Sequence, residues 1–259
     1  MSYWQDRAAS TQTKLSNKKI AQIEKQLAKY YRRAAVNCIE EFIATYNHLL
    51  ATLDANKLPT PADLYKLDKY WVMQGKLKAE LNKLGSKEID LLTKAFTENF
   101  INIYEGIAVQ GATAFTTVDE QAARQLINAI WCADGKSWSE RIWQNTAHLA
   151  DTLNDELINI VATGKKPTEL KNILQERFNV SYSQADALVR TEVAHIQTEA
   201  AKKRYEDYGI QKVQIWADAD ERRCDVCGKL HEKVFYVGEA IPIPAHPRCR
   251  CCIIPLIED

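Results

Sequence analysis

The sequence has no excess of either charge and no long apolar run. Lys plus Arg number 34 and Asp plus Glu number 34 in 259 residues, so the formal net charge is +0. This balance excludes a general electrostatic attraction to nucleic acid, and any such contact would have to use a local patch. No apolar run reaches the roughly 18 residues that a membrane span requires, so we expect no membrane association.

Glycine and proline are scarce, and cysteine is largely confined to one end. The chain has 9 Gly and 7 Pro, which leaves long stretches without a strong helix breaker. The first residues include no apolar segment of the kind found in a secretory signal. Cysteines that cluster with a histidine in such a chain favour metal binding over disulfides. The two isolated cysteines, Cys38 and Cys132, are expected to be small buried residues of helices.

The region from about Lys14 to Tyr208 is rich in Ala, Leu, Glu, Lys and Gln, with apolar residues three and four positions apart. This composition and spacing predict helices. Thr60-Pro61-Ala62-Asp63 is a strong helix start, and Gly85 is expected to end that helix. The predicted helices run from about 14 to 54, 60 to 84, 86 past 103, 119 to 131, 137 to 164, 167 to 178, and 181 or 183 to 208.

After Gly209 the pattern changes to alternation with period two. Residues 212–216 and 234–237 are predicted strands, and residues 253–256 are predicted as a short edge strand. The predicted fold class is therefore α+β and mainly α, with long N-terminal helices before a small β-containing C-terminal module. We predict a helical arm or bundle over residues 1–164 and a C-terminal domain over residues 165–259.

The C-terminal cysteines have the spacing of a metal site. Cys224-x-x-Cys227 and His246-x-x-Cys249 each aim two ligands from one tight turn, which is typical of tetrahedral zinc. Cys251 could replace Cys249 or His246, because alternate residues of an extended segment point the same way. The order of preference is Cys224, Cys227, Cys249, then His246 ahead of Cys251.

A thiolate-rich, closed set of four ligands indicates a structural zinc ion, because a catalytic zinc site keeps one position open for water. Such an ion would stabilise a small module that has little core of its own. Cys252 is expected to face the core, and His231 ranks low as a ligand. The alternative interpretation is a set of buried or disulfide-paired cysteines without a metal.

Polar residues on the helix before the first strand form a second candidate site. Glu192 and His195 share a face and have the spacing of half a di-iron site, but the sequence offers no second such pair. We predict an ion-paired face instead, in which Glu192 binds Arg222, Arg223 or Arg250 and locks the helix to the zinc module.

The first predicted helix is strongly basic and has Glu24 as the only opposing acid along its basic half. Such a stripe could make weak contact with DNA phosphates, or pair with an acidic surface of a protein partner. Its members are Lys14, Lys18, Lys19, Lys25, Lys29, Arg32 and Arg33.

Several motifs in this order resemble the Mu-F-like head-morphogenesis domain, found in minor capsid proteins of tailed bacteriophages. The resemblance covers about residues 167 to 256. The family usually has Asp-Gly where this chain has His231-Glu232, which argues against a tight glycine turn there and against His231 as a ligand. The motifs are Arg190-Thr191-Glu192, Trp216, D-x-x-R-C-x-x-C from Asp220 to Cys227, L-x-x-K-V-F from Leu230 to Phe235, and the proline-rich tail His246-Pro247-x-Cys249-Arg250-Cys251.

The resemblance implies a minor head protein of a phage or prophage. It would be made in the cytoplasm of the host bacterium and enter the virion, in the capsid interior or at the portal vertex. The implied partner is the portal protein, with scaffold or major capsid protein as further candidates, during procapsid assembly and DNA packaging or ejection. No enzymatic activity and no appended toxin domain are expected.

Two alternatives remain open at this point. The first is a metal-dependent enzyme or effector, a nuclease or transferase, that would use Glu192, His195, Asp218 and Asp220. The second is a DNA-binding module that would use the basic helix and the zinc loop.

Overall fold

The computed structural model describes residues 2–54, 57–108, 117–217 and 223–257. In this part of the chain, helices dominate and a small antiparallel sheet lies near the C-terminus. The helices are α1 (Tyr3–Thr52), α2 (Pro61–Tyr65), α3 (Asp68–Gly106), α4 (Glu120–Ile127), α5 (Trp138–Thr163), α6 (Pro167–Asp207) and α7 (Asp225–Leu230), and the strands are β1 (Lys212–Trp216), β2 (Val234–Tyr236) and β3 (Cys252–Leu256).

The sheet has the order β2-β1-β3, and both pairings are antiparallel. Val213 pairs with Phe235 on one side and with Pro255 on the other. Proline lacks an N–H group and cannot donate a ladder hydrogen bond. On an edge strand this costs nothing, because the side that faces away from β1 has no partner strand. The predicted edge position of the last strand is therefore confirmed, as are the other two strands.

Several predicted helix ends are confirmed by their capping contacts. Thr60 caps α2, and its side chain and that of Asp63 form a reciprocal capping box. Asp119 accepts a hydrogen bond from the N–H of Ala122 at the start of α4. Gly164 and Gly209 follow α5 and α6 with φ of 64° and 71°, a conformation that glycine adopts without steric cost.

Two predicted helix breaks are wrong. The helix that starts at Pro61 ends after one turn, and α3 then continues through Gly85 and the predicted new start at Ser86. Leu77, Leu81 and Leu84 are buried at helical spacing up to that glycine. Burial of such a stripe outweighs the roughly 1 kcal/mol that one glycine costs a helix.

The second wrong break lies in α6, predicted as two helices. Leu174, Phe178, Ser181 and Ala185 are all buried, so the buried face runs unbroken through the predicted interruption. The first helix also begins earlier than predicted, at Tyr3.

The turn before β2 departs from its prediction as well. Glu232 has φ of 64°, the left-handed conformation that usually requires glycine. Its backbone is held on both sides, because its N–H donates to the Ile215 carbonyl at 2.8 Å and its carbonyl accepts from Gln214 Nε2 at 2.9 Å. A tight turn thus forms here without glycine.

The described residues divide into two compact units. Unit 1 contains residues 1–24, 91–138 and 186–259, and unit 2 contains residues 25–90 and 139–185. Unit 2 has an apolar core that includes Phe42, Leu153 and Leu174, each fully buried. The division of the sequence at residue 164 into an arm and a domain stays a prediction. No helix of the described residues is long and apolar enough to cross a membrane.

Candidate metal centre

The short helix α7 presents the first pair of cysteines. Cys224 is the N-cap residue of α7, and its Sγ accepts a hydrogen bond from the Cys227 N–H at 3.4 Å. This bond is the main reason why the pKa of Cys224 lies below its usual value. Sequence reasoning missed α7, although a capping residue followed by Asp225 in the first turn is a recognisable signal.

The structure places the five predicted ligands in two groups of three that share Cys227. Within each group, the three donor atoms lie within 4.8 Å of one another. The first group adds Cys224 and His246, and the second adds Cys249 and Cys251. The cluster is therefore positioned to hold a metal ion.

The distances fit the donor set of tetrahedral zinc. Zn–S bonds of about 2.3 Å place two thiolates of a tetrahedron about 3.8 Å apart, and a thiolate and an imidazole nitrogen about 3.5 Å apart. Cys227 Sγ lies 3.8 Å from Cys249 Sγ. His246 Nε2 lies 3.3 Å from Cys224 Sγ and 3.0 Å from Cys227 Sγ.

The ring of His246 is oriented by its other nitrogen. Its Nδ1 lies 2.8 Å from the Pro247 carbonyl, which can accept a hydrogen bond from this nitrogen. That bond leaves Nε2, the atom nearest to Cys224 and Cys227, as the nitrogen with a free lone pair. Such a carbonyl contact behind a histidine is typical of metal-binding histidines.

The thiols of the cluster differ in their affinity for protons. A hydrogen bond from Cys251 is the main cause that lowers the pKa of Cys249 to about 5. The same bond raises the pKa of Cys251, and burial raises the pKa of Cys227 to about 12. Cys249 is thus the preferred thiolate, and Cys251 is its hydrogen-bond donor.

The remaining cysteines lie away from the donor groups, as predicted, with one difference. Cys252 is 2% exposed and packs with Ala9 and Ile254 in a small apolar cluster. Cys38 is buried in the core of unit 2. Cys132 is only half-buried and lies after α4, so its predicted burial within a helix is wrong.

Helix α6 holds the loop of the second ligand pair. The Arg248 N–H donates to Thr191 Oγ1 at 3.1 Å, and the Arg248 guanidinium donates to Asp186 at 2.9 Å. Arg248 has φ of 62°, so these two bonds fix a backbone conformation that a non-glycine residue rarely adopts. The sequence predicted that Glu192 would lock the helix to the metal module through Arg222, Arg223 or Arg250, and that pairing stays a prediction. The observed lock uses Thr191, Asp186 and Arg248, none of which was identified for this role.

The other two residues of the Arg190-Thr191-Glu192 motif make further contacts within unit 1. Arg190 forms ion pairs with Glu24 on α1 and with Asp186. Glu192 is 3% exposed and accepts a hydrogen bond from the Trp131 indole at 3.0 Å. The Trp131 ring also stacks on His195, with centroids 4.3 Å apart. Burial lowers the pKa of His195 to about 4, so this imidazole is neutral near pH 7.

Five residues named in the sequence analysis are not among the donor groups of the described residues. Asp220 and Arg222 lie outside the described residues, as does Asp218 of the enzyme alternative. Arg250 is exposed and has interactions of its own. His231 Nδ1 accepts a hydrogen bond from the Ala217 N–H at 3.3 Å, and its ring packs against Trp216. Neither donor group among the described residues includes His231.

Comparisons with known proteins agree with the resemblance. Residues 151–254 match the family model described as Phage Mu protein F like protein, which confirms the resemblance for this part of the chain. The chain is 26% identical over 165 residues to the NAD(+)--arginine ADP-ribosyltransferase EFV of Enterococcus faecalis, covering 57% of this chain and 34% of that protein. The chain thus spans about a third of the length of that curated relative. No solved structure matches.

Proposed function

We propose that this chain, whose residues 151–254 belong to the Phage Mu protein F like family, is a minor head protein of a tailed bacteriophage or prophage. It would associate with the portal protein during procapsid assembly and remain in the virion during DNA packaging and ejection. The observation that carries this proposal is the family match, which includes both the Arg190-Thr191-Glu192 motif and the metal cluster that the motif holds.

The proposed metal is a structural zinc ion bound by Cys224, Cys227, His246 and Cys249. When bound, the ion would cross-link α7 to the loop before β3 and stabilise a module with a short sheet. Cys251 would lie behind Cys249 and donate its S–H to that sulfur. Three thiolates and one imidazole fill four positions, which leaves none for a reacting water.

A structural role for this protein, and not an enzymatic one, agrees with the buried contacts of the polar residues on α6. Glu192 and His195, the described residues of the enzyme alternative, are engaged in buried contacts with Trp131. A catalytic acid or base must reach a substrate, and the closed packing of these side chains does not favour that use.

The proposal is tested by co-expression with the portal protein of the same phage or prophage. We expect the tagged chain to co-purify with the assembled portal ring and to be detected by mass spectrometry in purified virions. The matched control is the same tag on an unrelated helical protein of similar size. Absence of the chain from both portal rings and virions would refute the proposal.

The named relative makes arginine ADP-ribosylation the second candidate. The test is incubation of the purified chain with labelled NAD⁺ and an arginine-rich acceptor protein. We expect no label transfer. Transfer that disappears in Glu192→Gln, with folding intact, would favour the enzyme over the head protein.

A further inference from the structure

Helices α3 and α5 of unit 2 form an open groove on the surface of that unit. The Gln74 side chain bonds to Asn154, and a Cβ on Gly85 would meet the Trp143 ring, so the two helices run antiparallel. Between these two contacts, from 74 to 85 and from 143 to 154, each helix advances by 11 residues, about 16 Å. The groove has a volume of about 580 Å³, as large as typical binding pockets of proteins.

The floor of the groove is apolar, and a tryptophan covers one end. Leu77 and Leu81 line the floor and are buried in the core of unit 2. The ring of Trp143 reaches from α5 to Gly85 on α3, so it lies across the groove, and 40% of its surface is exposed. Tryptophan is enriched among the few residues that dominate binding at protein interfaces. The groove therefore suits a protein surface better than a small polar ligand.

The charged residues of the lining stand on opposite walls. Lys78 on α3 and Asp151 on α5 are both exposed, and the other described residues that line the groove are uncharged. Lys78 lies one turn after Gln74, and Asp151 lies three residues before Asn154, so the two charges are at about the same level. One wall is thus positive and the other negative at the same height along the groove.

A second copy of this chain is the partner that this charge arrangement fits. Most homo-oligomers are two-fold symmetric, and a two-fold interface must be complementary to itself. A two-fold axis along the groove places α3 of each copy over α5 of the other, so the positive wall of each copy faces the negative wall of the other. It also brings the two tryptophan rings together near the axis. An axis across the groove would instead stack like walls and bring like charges together, which is unfavourable.

We propose that two copies of this chain associate through this groove as a two-fold dimer. Within the groove, Lys78 of each copy faces Asp151 of the other, and the two Trp143 rings meet at one end. Exposed ion pairs contribute at most about 1 kcal/mol each, so the rings supply most of the attraction and the charges select the orientation. The association is independent of the head function proposed above.

The test is sedimentation velocity of the full chain, purified with zinc, at concentrations from about 1 to 100 µM. The wild type should shift from monomer to dimer over this range. Lys78→Asp and Asp151→Lys should each associate at least about tenfold more weakly, because each places two like-charge contacts in the dimer. An equimolar mixture of the two variants should associate like the wild type, because their heterodimer restores both opposite-charge contacts.

The matched controls are Lys171→Asp and Glu176→Lys, which change exposed residues of α6 that are not part of the groove lining. Both should associate like the wild type. Trp143→Ala should weaken the dimer by at least about tenfold. If a charge reversal loses its helical circular dichroism, the neutral variants Lys78→Gln and Asp151→Asn keep the test valid, and each should weaken the dimer.

The proposal is overturned if the wild type stays monomeric at about 100 µM. It is also overturned if the mixture associates no better than either reversal variant alone. A monomeric wild type whose co-purification with the portal protein is lost in Trp143→Ala would assign the groove to the portal protein and overturn the dimer. Portal association of the wild type is measured separately, so failure of the dimer leaves the proposed head function standing.

Discussion

Glu88 is a carboxyl group in the interior of unit 2, with 0% of its surface exposed. Its Oε2 accepts a hydrogen bond from the Tyr31 hydroxyl at 3.2 Å, and its Oε1 has no partner in the described structure. Asn145 joins this group to α6, because its Nδ2 donates to the Tyr31 oxygen at 3.1 Å and to the Ser181 carbonyl at 3.2 Å. Four helices therefore meet at one buried polar network.

Burial raises the pKa of Glu88 to about 7 from 4.5. Since the folded form holds this proton more tightly than the unfolded form, stability falls as pH rises from about 4.5 through 7. The free energy of unfolding should fall by about 2 kcal/mol between pH 5 and pH 8.

In Glu88→Gln we expect that part of the pH dependence to disappear in urea unfolding followed by circular dichroism. The control is Glu40→Gln, an exposed residue of the same unit, and an unchanged pH profile in Glu88→Gln would contradict the assignment.

Single substitutions can also decide whether His246 or Cys251 is the fourth ligand. Cys227→Ser should abolish metal binding, because Cys227 is shared by both donor groups. Cys251→Ser should keep one bound ion, because it removes only a hydrogen-bond donor. Cobalt substitution measures this, since each thiolate ligand adds to the sulfur-to-metal absorption. Loss of absorption in Cys251→Ser, with His246→Ala unaffected, would make Cys251 the ligand.

Helix α3 shows how an element can override a local breaker. A Cβ atom on Gly85 would lie 2.7 Å from the Trp143 ring, whereas a Cβ on Gly75 would meet nothing within 4 Å. The glycine at 85 therefore makes room for an aromatic ring from α5 instead of ending the helix. Trp143 is 40% exposed, so the larger part of its side chain is packed, and displacement of the ring would lose part of that packing.

These two glycines form a matched pair of substitutions. Gly75→Ala should stabilise the chain by about 0.5 to 1 kcal/mol, because alanine is the better helix former. Gly85→Ala gains the same propensity but must displace Trp143, and we expect it to be at least about 1 kcal/mol less stable than Gly75→Ala. Urea unfolding of both variants measures the difference. Equal stabilities would mean that the ring moves without cost.

The hydrogen bond between Thr191 on α6 and Arg248, in the loop that carries His246 and Cys249, can be tested by substitution. Thr191→Val removes the acceptor of the Arg248 N–H and should cost about 1 kcal/mol. The Arg248 amide should then exchange with solvent faster in a hydrogen-exchange experiment. Thr152→Val is the control, because Thr152 bonds only to the His148 carbonyl of its own helix. Unchanged exchange at Arg248 would show that the loop holds its shape without α6.

The whole molecule combines a unit with a large apolar core and a unit that ends in the cysteine cluster. Removal of the proposed zinc ion by a chelator should therefore affect residues 223–257 first. We expect faster proteolysis within that range, protection of unit 2, and little loss of helical circular dichroism. Added zinc should restore the resistance. Identical cleavage with and without the chelator, in a chain that contained metal at the start, would refute a structural role for the ion.

Helix type, strand positions and the ligand cluster could all be predicted from the sequence, because each depends on local spacing. The strands at 212–216, 234–237 and 253–256 follow from alternation and appear within one residue of those bounds. Continuity was mispredicted at Gly85 and around residue 180, because a glycine or a serine is a weak local signal and the packing of a long buried face is not visible locally.

The sequence by itself determined the helical character of this chain, the residue types of the candidate metal site and the resemblance that the family match bears out. Only the tertiary structure decided what the motif residues touch. Thr191 meets Arg248, Glu192 meets Trp131, and Arg190 meets Glu24 across a separation of 166 residues. Such partners lie far apart along the chain, and their contacts arise only when distant helices pack side by side.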